Sequence, residues 1–467
     1  MAMMRVSNGY YGFALMVFGV WAAFTRRAGW AFSHYALLLM TVITNPILLP
    51  KEGAAWSLSL RVGPLLIGLA MIISASRAQG NHRLPLGGMI PFLLVACISA
   101  SIGWVPQISY MKLINFVVFF FGIWLGTQNI DKKVEDVIQL RAMMLAVCVF
   151  FILGSFVLYW FPSVSYLSSL KAFNEGGMAE AAYSAEMMRE AMTTSANAYD
   201  SLFCGITYQS QTLAPVLALC FSWVTCDMLF IEKRVRWQHL GLMIISVPLM
   251  YFTRSRVAFV TLVASLGIIY MYTIRKVDIP YHVRQTVRQG AFLFGFLILV
   301  LTVIVEIRGN TISQWMRKSN DTEGDNRSLT EAMTSSRMGL IEECMYEFNR
   351  SPIFGSGFQV SHDHLALMQH SNGLILSAPI EKGLLPLMVL GETGLVGAAC
   401  FLFFMLSFYA TAVKRQLFIT ITLLGVFFMA NLGEATFFSP GGMGGTLWMI
   451  SAIGGFVLDT ILKYERG

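Results

Sequence analysis

Two arginines flank one serine in Thr253-Arg254-Ser255-Arg256, a turn squeezed between two apolar runs. A guanidinium in such a place is costly unless paired, and its planar fork suits a phosphate or carboxylate bidentately. Either the pair snorkels to headgroup phosphates or it holds an anionic ligand. A further arginine, Arg337, follows Ser335-Ser336. The serine reads as an N-cap, with Met338, Ile341, Met345 and Phe348 as one apolar stripe and Ser351-Pro352 as the stop. A cation in a first helical turn opposes the dipole, and an anion bound there would relieve the conflict and gain the free backbone N–H groups. Pairing with Glu342 or another carboxylate is the structural alternative.

Three further groups follow in order. Ser351-Pro352-Ile353-Phe354-Gly355-Ser356-Gly357-Phe358 is a turn whose Gly355 and Gly357 permit positive φ or close approach. His362-Asp363-His364, His370 and Glu381-Lys382 come next. The histidines are either plain loop residues or a metal pair, although no further spaced ligands accompany them. Glu381 and Lys382 are either interfacial anchors or a carboxylate base beside a cationic site. Last, Glu392 stands inside an apolar run in Leu390-Gly391-Glu392-Thr393-Gly394-Leu395-Val396-Gly397, where a carboxylate needs a partner and glycines allow close helix packing.

The elements that must position these residues are membrane helices. The chain has 467 residues, 56% hydrophobic and 13% charged, against about 25% charged in soluble domains. Apolar blocks of bilayer length recur from Tyr10–Phe24 to Gly445–Leu462, about 12 to 14 in number, without the alternation of barrel strands. The expected fold is an all-α polytopic membrane protein. Residues 1–307 form an N-terminal bundle with a loop at 162–205. Residues 308–382 form a large polar loop containing amphipathic helices, and 383–467 return as C-terminal membrane helices. Arg5 before the first apolar run, with Arg26-Arg27 after it, predicts a first membrane helix rather than a cleaved leader. Prolines such as Pro46, Pro215 and Pro386 fall within expected spans, where neighbours can satisfy freed carbonyls.

Cations set the orientation. Arg26-Arg27, Arg77 with Arg83, Lys132-Lys133, Lys233-Arg234-Arg236, Arg275-Lys276-Arg284-Arg288, Lys414-Arg415 and Lys463 with Arg466 mark alternate loops as cytoplasmic. The N-terminus and both long loops then lie outside, the C-terminus inside. The formal charge of +7 follows from this topology and does not point to nucleic acid. The seven cysteines fall mostly in apolar blocks and read as small buried hydrophobes, with a Cys204–Cys344 disulfide as the alternative.

In their order and placement, Thr-x-Ser-Arg opening a helix, Ser-x-Arg followed by a helix and Pro-Ile-Phe-Gly-x-Gly, and Leu-x-x-Leu-x-Glu-x-Gly-Leu-x-Gly resemble the O-antigen ligase / Wzy polymerase superfamily. The resemblance covers about Thr253 to Leu402. It implies a GT-C-like, inverting, metal-independent and cofactor-free glycosyltransferase of the bacterial inner membrane, acting at the periplasmic face. Such enzymes move a glycan from an undecaprenyl-diphosphate carrier to an acceptor hydroxyl. Their partners are the carrier, an acceptor glycan or glycolipid, the bilayer, and polysaccharide export or chain-length proteins. By the resemblance Arg256 and Arg337 bind the diphosphate, and Glu392, Gly394 and Gly397 match the glutamate and glycines of the re-entering helix. Arg254 and Lys382 are further candidates for the diphosphate, and Glu392, Gly355 and Gly357 for support of the site. Many members open the re-entering helix with His-Asn, but this chain has Gly383 and Leu384 there. The catalytic candidates are therefore Glu381, acting locally, or His370 (or His362) reaching in from the loop. The departure favours polymerisation of an O-unit or exopolysaccharide over ligation to lipid A-core. Two other readings stand beside it, a polysaccharide-lipid flippase and a membrane protein whose outer loop binds a partner without chemistry.

Overall fold

The computed structural model describes residues 2–44, 54–75, 84–132, 134–161, 203–207, 210–253, 255–275, 281, 285, 329–360, 384–433 and 435–464. The N-terminal helices are α1 (Ala2–Phe24), α2 (Ala28–Ile43), α3 (Ala54–Ala75), α4 (Ile90–Ile102), α5 (Pro106–Gly126) and α6 (Val134–Tyr159). Then come α7 (Ser210–Cys226), α8 (Trp237–Phe252), α9 (Arg256–Arg275) and α10 (Leu329–Arg350). The C-terminal part holds α11 (Leu385–Lys414), α12 (Phe418–Ala430), α13 (Gly442–Trp448) and α14 (Gly454–Tyr464). The described residues form no strand, and one isolated bridge pairs Thr44 with Thr207.

Among the described residues, five helical stretches are long and apolar enough to cross a bilayer: Pro106–Ile130, Val134–Tyr159, Ser210–Ile231, Leu385–Lys414 and Gly442–Tyr464. Shorter apolar helices accompany them, as in a helical membrane protein. Of the apolar blocks expected from sequence, Gly290–Ile307 lies outside the described residues, and the others fall on helices as far as they are described. Pro64, Pro215 and Pro248 stand inside helices. Pro386 instead occupies the first turn of α11, where its missing N–H costs nothing.

The centre of the bundle is α7, apolar on every side and buried along its length. Two of its hydroxyls bond to its own backbone: Ser222 donates to Ala218 O at 2.7 Å and Thr225 to Phe221 O at 2.8 Å. Helices α6, α8, α9 and α12 pack around it, and α14 packs on α12. No disulfide joins the seven cysteines, Cys204 and Cys344 included, and five are buried as expected.

The start of α12 is capped from another helix. Asp459 of α14 accepts from Ile419 N at 3.1 Å, Thr420 N at 2.9 Å and Thr420 Oγ1 at 2.8 Å. These N–H groups are buried and have no intrahelical acceptor. Asp459→Ala is expected to cost about 2 kcal/mol of stability, read as earlier thermal unfolding of the purified protein. Asp459→Asn, which keeps one acceptor, should fall between the two. An unchanged unfolding temperature for Asp459→Ala would show that the cap does not matter.

Candidate functional site

The site is built on a broken helix. Gly394 inside α11 has φ 66° and ψ −169°, far from helical values. In a continuous helix Leu395 N and Val396 N would donate to Gly391 O and Glu392 O. They donate instead to Pro352 O at 2.8 Å and Ile353 O at 3.2 Å, on the segment that follows α10. The two freed carbonyls accept from that same segment, Gly391 O from Ser356 N at 3.0 Å and Glu392 O from Gly357 N at 3.2 Å. Two helix bonds are thus exchanged for four bonds to the turn, so the break leaves these four groups satisfied.

Glycine is required at both contact points. Gly355 has φ 76°, and a Cβ there would lie 2.2 Å from Glu392 C and 2.3 Å from Thr393 N. A Cβ on Gly394 would lie 2.3 Å from Ile353 O. These are backbone atoms that cannot swing aside. The sequence expectation that Gly355 and Gly357 serve positive φ and close approach holds, with Gly357 at φ 124°. The glycines after Leu390 divide their work: Gly391 packs against Cys344 of α10, whereas Gly394 makes the break.

A third element holds the turn in place. Ser99 of α4 donates its hydroxyl to Glu392 O, and Trp104 N donates to Ser356 O at 2.9 Å. Ser109 Oγ donates to Phe358 O at 2.8 Å and Lys112 Nζ to Gln359 O at 2.8 Å, both from α5. The Phe358 ring is buried among Phe92, Phe116 and Phe438, with centroids 6.4, 6.1 and 5.4 Å away. These phenylalanines are core packing. Sequence reasoning missed Ser99 and Trp104; the run of small residues Ser99-Ala100-Ser101 in an apolar span was the available signal.

Two carboxylates are buried beside the break, Glu392 on α11 and Glu347 on α10, each 1% exposed. A carboxylate so enclosed is tolerated when a proton or a nearby cation neutralises it. Helix α10 itself departs from expectation. It opens at Leu329, so Ser335 and Ser336 are not its cap and Arg337 is not in its first turn. The dipole conflict proposed for Arg337 therefore does not arise. Its buried face carries Cys344 and Glu347, while Met338 and Met345 of the expected stripe are exposed.

Of the remaining candidates, Arg256 opens α9 and Arg337 lies within α10. Arg256 is the first residue of α9, and its neighbour Val257 lies against Gly433 just past α12. Two residues earlier, Asn431 O accepts from Leu385 N at 3.1 Å at the start of α11. Phe203 N reaches Phe252 O, just before the Thr253 turn, at 3.3 Å. Cys344 lies against Gly391, and Pro352 and Ile353 against Leu395 and Val396, so the chain there advances alongside α11. Arg337 lies two turns before Cys344 in α10. Arg254, Glu381, Lys382 and His370 lie outside the described residues, as do His362 and His364. Among the described residues no cluster of His, Cys, Asp and Glu could hold a metal ion.

At the far end of α7 a charge cluster surrounds the π-helical turn Asp227–Ile231. Arg141 grips Asp227 bidentately, Nε to Oδ1 at 2.7 Å and Nη2 to Oδ2 at 3.1 Å, and also bonds Glu232. Arg236 pairs with Glu232, and His239 Nε2 lies 3.1 Å from Asp227 Oδ2. From sequence, Lys233-Arg234-Arg236 was only a topology marker. In the fold Arg236 also pairs with half-buried Glu232, next to buried Asp227.

No protein-family model matches the chain, and none of the curated proteins compared with it is similar. The fold and site together define a helical membrane-type protein in which helix α11 is discontinuous, spliced by the segment that leaves α10.

Proposed function

We propose that the protein is a membrane glycosyltransferase that joins glycan units from an undecaprenyl-diphosphate carrier to an acceptor glycan hydroxyl at the outer face, most simply as an O-unit or exopolysaccharide polymerase. The observation that carries this reading is the splice itself. Pro352-Ile353-Phe354-Gly355-Ser356-Gly357 and Gly391-Glu392-Thr393-Gly394, distant in sequence, meet through four backbone hydrogen bonds. A lipid diphosphate is already a good leaving group, so the protein must chiefly hold the anion and orient the hydroxyl. Arg256 and Arg337, with Arg254 and Lys382, supply the first function, and Glu381 or His370 the second. In this reading the fold is GT-C-like, the N-terminus is periplasmic and the membrane is the bacterial inner one.

One observation favours a second reading. Discontinuous helices with buried carboxylates also build substrate sites in transporters, so a lipid-glycan flippase shares the broken α11. Purified protein incubated with lipid-diphosphate glycan separates the two. Longer glycans with release of undecaprenyl diphosphate are expected. Translocation without bond formation would replace the enzyme with the transporter.

A further inference from the structure

Arg350 ends α10, and its guanidinium lies 3.7 Å from the centroid of the Trp104 ring. Stacking this close fixes the plane of the guanidinium. Trp104 is itself anchored, through its backbone bond to Ser356 and by packing on Val105, Ile108 and Val360. Arg350 is exposed and has no hydrogen bond or ion pair among the described residues. The neighbouring surface is apolar: Ile102, Ile353 and Leu395 are 56%, 57% and 58% exposed. A cation at a helix C-terminus complements the dipole, but that role needs no tryptophan beneath it. An arginine with unused donors, laid on a tryptophan at the edge of an apolar surface, matches the chemistry found where headgroups meet the bilayer.

We propose that Arg350, held flat by Trp104, binds the phosphate of a membrane lipid, a contact made by neither Arg256 nor Arg337. Two lipids offer that chemistry, an anionic phospholipid of the bulk bilayer and a polyprenyl diphosphate. The site does not depend on glycan transfer taking place.

The test is native mass spectrometry of the full chain in detergent, titrated with phosphatidylglycerol, phosphatidylcholine or a polyprenyl diphosphate. Arg350→Ala is expected to weaken retention of an anionic lipid about tenfold, and Trp104→Ala about threefold, with Trp104→Phe close to the parent. Loss confined to phosphatidylglycerol assigns the site to bulk headgroups, and loss confined to the diphosphate assigns it to a carrier lipid. Equal retention of both lipids by Arg350→Ala and the parent would overturn the site. Should Arg350→Ala unfold early, Arg350→Lys carries the test: a point charge in place of the stacked fork is expected to lower affinity about threefold, and parental affinity would again overturn it.

Discussion

Arg256→Ala and Arg337→Ala are each expected to slow glycan transfer by a hundredfold or more while the protein still inserts and folds. The size follows from what cations contribute where charge develops in a water-poor site, about 10²–10³ in rate for one donor group. The reaction leaves a diphosphate carrying extra negative charge, so a guanidinium that grips it is worth more in the transition state than in the bound substrate. Lysine at either position should recover only part of the rate, because a point charge lacks the bidentate fork. The check is product length and released undecaprenyl diphosphate, measured with purified variants and a lipid-diphosphate glycan donor. Full activity in both alanine variants would remove the anion site, and the proposed function with it.

Gly355→Ala should be the most damaging small substitution in the described part of the chain, with Gly394→Ala close behind. At Gly355 the added carbon would sit 2.2 Å from the backbone of Glu392, at a φ of 76°. At Gly394 it would sit 2.3 Å from Ile353 O, at a φ of 66°. Relieving either clash means pulling the turn off α11, which strands Gly391 O, Glu392 O, Leu395 N and Val396 N in an apolar surround. Overpacking and left-handed strain together cost about 3–4 kcal/mol, before any stranded group is counted. Thermal unfolding in detergent, followed with a thiol-reactive dye, reads this directly, because Cys148, Cys220 and Cys226 are buried and free. Gly339→Ala is the control, since a Cβ there meets nothing within 4 Å. If Gly355→Ala and Gly339→Ala unfold at the same temperature, the splice does not hold α11 in shape.

Much of the fold was legible in the chain. Bilayer-length apolar blocks have one stable outcome, since a backbone in hydrocarbon must bond within itself. That Gly355 and Gly357 serve positive φ or close approach was also readable, because glycine alone permits both at little cost. The start of α10 was misread for a local reason. Ser335-Ser336 carries a good capping signal, but Leu329-Thr330-Glu331-Ala332-Met333 before it forms helix readily enough to continue through.

By itself the sequence determined the class of structure, a set of apolar helices with long polar excursions, and which short segments carry unusual residues. Only the tertiary structure decided that two of those segments are one object. Gly394 could have been a packing glycine like Gly391, and nothing local distinguishes them. It is the arrival of Pro352 and Ile353, with acceptors for Leu395 and Val396, that makes breaking α11 cheaper than continuing it. Hydrogen bonds between positions some forty residues apart leave no periodic trace in a chain. Their geometry exists once the helices have packed.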